Sequence, residues 1–152
     1  MATMTKRLLL LEDETALARA VARLLRRAGF EVFLASTCEE ARRAPGTFSL
    51  AIFDIQLPDG DGVALAEELL ERGAVRRIVF FSGTLSGLDR RRAQRLGPFV
   101  EKSMGFAALH ATIELSLAGL QVKVAGTEEI LDAGSNPPPS GVRGNGDPND
   151  LN

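Results

Sequence analysis

Three carboxylates, a hydroxyl and an ammonium each follow a short apolar run in this chain. Glu12 and Asp13 come after residues 8–11, Asp54 after residues 50–53 and Ser82 after residues 78–81, while the run that starts at Phe99 leads to Lys102. If those runs are strands of one parallel sheet, the polar groups converge, because ligands of open α/β sheets bind outside the carboxyl ends of the strands. Like charges about 4 Å apart repel by roughly 4 kcal/mol at an effective dielectric of about 20, so such a group needs a cation or extra protons. Lys102 offsets only part of that charge. The single His and single Cys of the chain form no cluster for a softer metal, and an all-oxygen set completed by waters is the preference of Mg²⁺.

The elements that must hold these residues show in the period of the apolar side chains. Strand-like runs at residues 8–11, 32–35, 50–53, 78–81 and 99–100 alternate with helical spacing, which predicts βα units around a parallel sheet. Most of the runs lack polar alternation, as expected of strands covered on both faces. Leu17, Val21, Leu24, Leu25 and Ala28 mark the first helix, with Gly29 as its stop. Ser36 and Glu39 are spaced as a capping box for the second, which ends at Pro45-Gly46. Val63, Leu65, Ala66, Leu69 and Leu70 mark the third, residues 88–96 the fourth and residues 106–118 the fifth. On the fourth helix Leu88, Ala93 and Leu96 are predicted to face inward, and Arg90, Arg91, Gln94 and Arg95 outward. On the fifth, Phe106, Leu109, Ile113 and Leu117 form the inner side and Ala108, Ala111 and Leu115 the outer, with His110 at the boundary.

A length of 152 residues suits one domain. With 25% charged and 45% hydrophobic residues the composition is that of an ordinary soluble protein. A net charge of −2 argues against a surface that binds nucleic acid as a whole. Cys38 alone cannot form an internal disulfide and reads as a small buried hydrophobe in a reducing compartment. The apolar run at residues 8–11 is too short for a signal-peptide core or a bilayer span, so a cytoplasmic location without membrane contact is expected. From Gly126 onward Pro, Gly, Asn and Asp dominate, and such a segment cannot bury enough to offset its ordering entropy. The expected division is a folded domain at residues 6–119 and a flexible, mostly disordered tail or linker at 120–152, with residues 120–124 either a short strand or the start of the tail.

The run Asp54-Ile55-Gln56-Leu57-Pro58-Asp59-Gly60-Asp61-Gly62, taken with Glu12-Asp13, Ser82-Gly83 and Phe99-Val100-Glu101-Lys102, resembles the receiver domain of two-component response regulators. Each motif alone is weak, but they stand in the right order at expected strand ends. The resemblance implies a flavodoxin-like α/β fold, (βα)₅, with a doubly wound five-stranded parallel sheet in the order 2-1-3-4-5. It implies that Asp54 accepts a phosphoryl group from a sensor histidine kinase or phosphotransfer protein. Asp13 would then ligate Mg²⁺ directly, Glu12 through a bound water and Gln56 by its backbone carbonyl. Ser82 would hydrogen-bond the phosphoryl group, Lys102 would pair with it, and Phe99 would be the switch aromatic that turns inward as Ser82 moves. The chain would catalyse only its own phosphorylation and dephosphorylation, and is in that sense not an enzyme.

Two positions depart from the pattern. Glu12 stands where Asp is more usual, and Ser103 follows the lysine where a proline with a cis bond is usual. A cis bond before another residue costs about 3–4 kcal/mol, so the placement of Lys102 turns on that peptide. Arg91, Arg95, Ala111 and Leu115 are the expected output surface, for a downstream protein or a second receiver. The alternative is a receiver-like interaction module that does not depend on phosphorylation. Residues after Gly119 carry no helix-turn-helix pattern, so no nucleic acid is expected to be bound by this chain. Gln56 stands where a haloacid-dehalogenase-type phosphotransferase needs a second Asp, and Asp59-Gly60-Asp61-Gly62 lacks the closing Glu of an EF-hand.

Overall fold

The computed structural model describes residues 5–83 and 86–120. The readings made for the tail, including residues 121–124 of the possible strand, lie outside the described residues.

Five strands form one sheet: β1 (Arg7–Leu11), β2 (Glu31–Ala35), β3 (Leu50–Phe53), β6 (Ile78–Ser82) and β7 (Phe99–Glu101). All neighbouring pairs are parallel and the order is β2-β1-β3-β6-β7, which is 2-1-3-4-5 when only this sheet is counted. A short antiparallel hairpin, β4 (Gln56–Leu57) with β5 (Gly60–Asp61), follows β3. The helices are α1 (Thr15–Arg27), α2 (Cys38–Arg43), α3 (Gly62–Glu71), α4 (Gly87–Gln94) and α5 (Gly105–Leu117).

Strand side chains alternate between faces, and two cores result. Leu9, Leu11, Phe53 and Phe80 pack with Ala41 of α2, Leu65 and Leu69 of α3 and Ala93 of α4. Leu8, Leu10, Ile52 and Val79 pack with Val21 and Leu25 of α1 and Leu109 and Ile113 of α5. Every residue of β3 and β6 is buried, which is why their sequences read as unbroken apolar runs. This double winding leaves the carboxyl ends of β1, β3, β6 and β7 together at one rim.

Several local expectations are corrected. Leu24 is 37% exposed and contributes little to the core. The N-cap of α2 is Thr37, one residue later than the Ser36–Glu39 spacing suggested: Thr37 Oγ1 accepts from Glu40 N at 3.1 Å, and the Glu40 carboxylate reaches back to accept from Ser36 N at 2.9 Å. Asp59 from the hairpin adds a remote cap, accepting from Cys38 N at 2.8 Å and Glu39 N at 3.2 Å. On α4 Leu88 is 70% exposed and only Ala93 is buried, while Arg90 turns inward. On α5 Ala108 packs against the second core instead of facing out, and Thr112 and Ser116 are buried. Thr112 is accommodated because its hydroxyl donates to the Ala108 carbonyl at 2.8 Å. Leu120 N donates to Leu115 O at 3.0 Å, so that residue closes the end of α5.

Candidate functional site

β1 delivers Glu12 and Asp13 to the rim. Glu12 is 3% exposed and Asp13 is exposed, so the two acids differ in their access to water. Glu12 also accepts from Glu14 N at 3.1 Å, which helps to organise the entry into α1. β3 delivers Asp54, which is 6% exposed. Its Oδ1 accepts from Ile55 N at 2.7 Å and from Ser82 Oγ, at the end of β6, at 2.5 Å. Its Oδ2 accepts from Lys102 Nζ at 2.9 Å, and the same ammonium lies 3.0 Å from Glu12 Oε2.

Lys102 begins a 3₁₀ turn, Lys102–Met104, between β7 and α5. No peptide among the described residues is cis, so the Lys102–Ser103 bond is trans and the lysine nonetheless reaches both acids. Oxygens from Glu12, Asp13 and Asp54 lie within 4.8 Å of one another. This oxygen-only donor set suits a hard divalent cation that retains waters, and it offers nothing to a soft one. Glu12, Asp13, Ser82 and Lys102 are thus brought together around Asp54, and Gln56 opens the hairpin that follows it.

Charge and burial act in opposite directions on the two flexible members. Burial pushes the Glu12 carboxyl above 4.5, against the Lys102 ammonium and the Glu14 N–H, which pull it down. Burial alone would lower Lys102, but its hydrogen bonds to Asp54 and Glu12 prevail and hold it above 10.5.

Sequence reading assigned no role to Asp59, Asp61 or Arg92, yet they fix the hairpin beside the site. Asp61 Oδ1 accepts from Val63 N at 2.8 Å and caps α3, while its Oδ2 accepts from Arg92 of α4 at 2.8 Å. An Asp directly before the apolar start of a helix is an N-cap signal, so Asp61 was findable; its tie to Arg92 was not. Burial would raise the Asp61 carboxyl, but Arg92 and the Val63 N–H outweigh it and hold the group below 3.8.

A pH profile of stability follows from these shifts. The contribution of Lys102 is fully present below pH 10.5 and is lost as pH rises through its raised value. That of Asp61 is present above pH 3.8 and is lost as pH falls through its depressed value. Glu12, being raised, favours the folded state below pH 4.5 and ceases to do so as pH rises through its folded value. Melting temperature measured against pH should therefore fall on an acid limb that Asp61→Asn flattens and on an alkaline limb that Lys102→Met flattens. Unchanged limbs in both variants would mean that other groups set the profile.

The remaining expectations divide. Phe99 is 4% exposed and points inward, Ser82 bonds Asp54, and the Arg90 guanidinium lies 5.0 Å from the Phe99 ring centroid. Arg91, Arg95, Ala111 and Leu115 are all exposed, as an output surface requires. His110 stacks on Phe106 at 5.6 Å and contacts Glu114 at 3.2 Å, a boundary position. Cys38 is buried, and burial pushes its thiol up to about 11.

The sequence matches the family model described as Response regulator receiver domain over residues 8–114. The KDP operon transcriptional regulatory protein KdpE of Escherichia coli (strain K12) is 34% identical over 116 residues, which cover 72% of this chain and 50% of that protein. The chain spans about half the length of the curated relatives it matches. Among solved structures, the response regulator receiver domain protein (CheY-like) from Methanospirillum hungatei JF-1 superposes with a TM-score of 0.71 at 26% identity, covering 76% of this chain and 96% of that one. Response regulator protein TrrA from Thermotoga maritima, in complex with Mg(2+)-BeF, gives 0.63 at 26% identity, covering 74% and 99%. No helix among the described residues is long and apolar enough to cross a membrane.

Proposed function

Because the chain belongs to the response regulator receiver domain family, we propose that it accepts a phosphoryl group on Asp54 from a sensor histidine kinase or phosphotransfer protein and switches a protein-interaction surface in response. The observation that carries this reading is the buried Asp54 carboxylate with Ser82, Ile55 N and Lys102 as donors and two further acids within reach.

A carboxylate oxygen of Asp54 attacks phosphorus in the donor phosphohistidine. The P–N bond breaks, and its electron pair leaves with the imidazole nitrogen. Phosphoryl transfer needs alignment and charge neutralisation more than covalent help. The Ser82 hydroxyl, the Ile55 N–H and the Lys102 ammonium, now directed at the carboxylate, are placed to donate to the transferred phosphoryl oxygens. Glu12, Asp13, Asp54 and the Gln56 carbonyl would hold Mg²⁺, which when bound supplies further neutralisation of the phosphoryl charge. Support for that ion comes from the oxygen-only cluster and from TrrA, whose structure was solved with Mg(2+)-BeF. The chain turns over no external substrate in this reading and works in the cytoplasm.

The test is incubation with Mg²⁺ and acetyl phosphate followed by intact-mass measurement. One phosphoryl group should be added, and Asp54→Ala should abolish the addition. An unmodified wild-type mass, where a control receiver is labelled, would overturn the proposal in favour of an interaction module independent of phosphorylation.

The output surface falls on α4 and α5. Arg91 and Arg95 are exposed, and α5 presents Ala111 and a 41% exposed Leu115 where charges would be ordinary. Arg91→Glu with Arg95→Glu, and separately Leu115→Asp, should leave phosphorylation intact while reducing association with a partner, or with a second copy, by about tenfold or more. Association unaffected by either change would place the output elsewhere.

A further inference from the structure

α4 is held to the body in an unusual way. Only Ala93 of this helix is buried, and its leucine points to water. Two arginines supply the other ties: Arg92 to Asp61 on the hairpin after Asp54, and Arg90 to Glu101 on β7. Arg90 is the more enclosed, with its side chain 17% exposed against 40% for Arg92. Its guanidinium lies 5.0 Å from the Phe99 ring centroid, and its Nε is buried with no hydrogen-bond partner among the described residues. A guanidinium pressed against an aromatic face is most strongly attracted when it is desolvated, and leaving one N–H unpaired is tolerated only if other contacts outweigh the loss. Here those contacts are the Phe99 ring and the Glu101 carboxylate, and Glu101 directly precedes Lys102 in the chain.

We propose that Arg90 is a positioning residue for the switch: it lies against Phe99 and pairs with Glu101, so it holds the ring inward and fastens α4 to the strand that delivers Lys102. On this proposal Arg90 biases Phe99 inward independently of the phosphoryl group, and phosphorylation adds to that bias. The geometry has both halves of the coupled arrangement at once, Ser82 on Asp54 and Phe99 buried. The link to output rests on the phosphorylation reading above, whereas the effect of Arg90 on the ring is measurable without it.

The experiment uses the full chain carrying fluorophenylalanine, with the Phe99 resonance assigned by Phe99→Leu. A soluble paramagnetic agent then reports how exposed that ring is, with and without Mg²⁺ and beryllofluoride. In the wild type the ring should be shielded in both conditions. Arg90→Met, which keeps an apolar stem but no charge, should raise solvent relaxation of Phe99 about threefold to tenfold in the unmodified protein, and beryllofluoride should restore shielding. Arg90→Lys should retain much of the shielding, because the cation–ring contact survives. Glu101→Gln gives a second route that leaves Arg90 in place, and it should loosen the ring by less than Arg90→Met. Equal shielding in wild type, Arg90→Met and Glu101→Gln would overturn the proposal and assign the inward ring to core packing alone. An exposed ring in the wild type would overturn it as well. If phosphorylation fails while Arg90→Met still frees the ring, the positioning role stands and the phosphoacceptor reading falls.

Discussion

Lys102→Ala is expected to slow phosphoryl uptake by about two to three orders of magnitude, the usual loss when one preorganised charge aimed at the transition state is removed. The lysine is the only cation among the described residues that touches both Asp54 and Glu12, at 2.9 and 3.0 Å. Without it, two buried carboxylates face one another and the incoming phosphoryl group adds more negative charge to the same space. Mg²⁺ would offset part of that, which is why the loss is expected to be large but incomplete. Lys102→Arg tests geometry against charge, since a planar guanidinium cannot occupy the place of a compact ammonium, and it should recover only part of the rate. The measurement is the initial rate of mass increase with acetyl phosphate at fixed Mg²⁺. A rate for Lys102→Ala within about threefold of wild type would show that the contacts to Asp54 and Glu12 are resting-state neighbours with no part in transfer.

The site was legible because its residues leave strands that are buried on both faces. Leu50-Ala51-Ile52-Phe53 can be little else than a central strand, and whatever follows such a strand in a parallel sheet lies at the ligand-binding rim. The peptide after Lys102, which the sequence left open, is trans. What local periodicity could not show were contacts whose partners are remote in sequence. The arginine at position 90 looked outward on a helical wheel because the wheel takes charge as a sign of exposure, yet Phe99 and Glu101 draw it in. Leu88 looked inward by the same logic and is exposed. The N-cap of α2 was misplaced by one residue, and Asp59, from beyond β3, caps that first turn as well. Thr112 and Ser116 are polar yet buried, and burial of Thr112 is allowed by a hydrogen bond to its own preceding turn.

The same closeness of backbone that shapes the rim makes Gly62→Ala a strongly damaging substitution for so small a change. Gly62 opens α3 just after the hairpin, and its N–H donates to Ile55 O at 2.9 Å. A Cβ at this position would lie 2.1 Å from the Asp54 carbonyl oxygen and 3.0 Å from Ile55 Cα. These are backbone atoms, so no rotamer change relieves the clash; either the hairpin or the end of β3 must move. Its φ is not in the left-handed region, so the cost is steric rather than conformational. Overpacking of a tight site destabilises by about 1–3 kcal/mol, and with no side chain to yield the upper part of that range is expected, a fall of roughly 10 °C in melting temperature. If Asp54 is the phosphoacceptor, phosphoryl uptake should also fall in the fraction that remains folded, because the atom that must move belongs to Asp54 itself. Gly87→Ala is the matched control: it opens α4 with nothing among the described residues within 4 Å of the added carbon, and alanine is the better helix former, so this variant should melt at or slightly above the wild-type temperature. If Gly62→Ala melts within about 2 °C of wild type and takes up phosphoryl at the normal rate, the rim is looser than its backbone contacts imply, and Asp54 is not held in place by the turn that follows it.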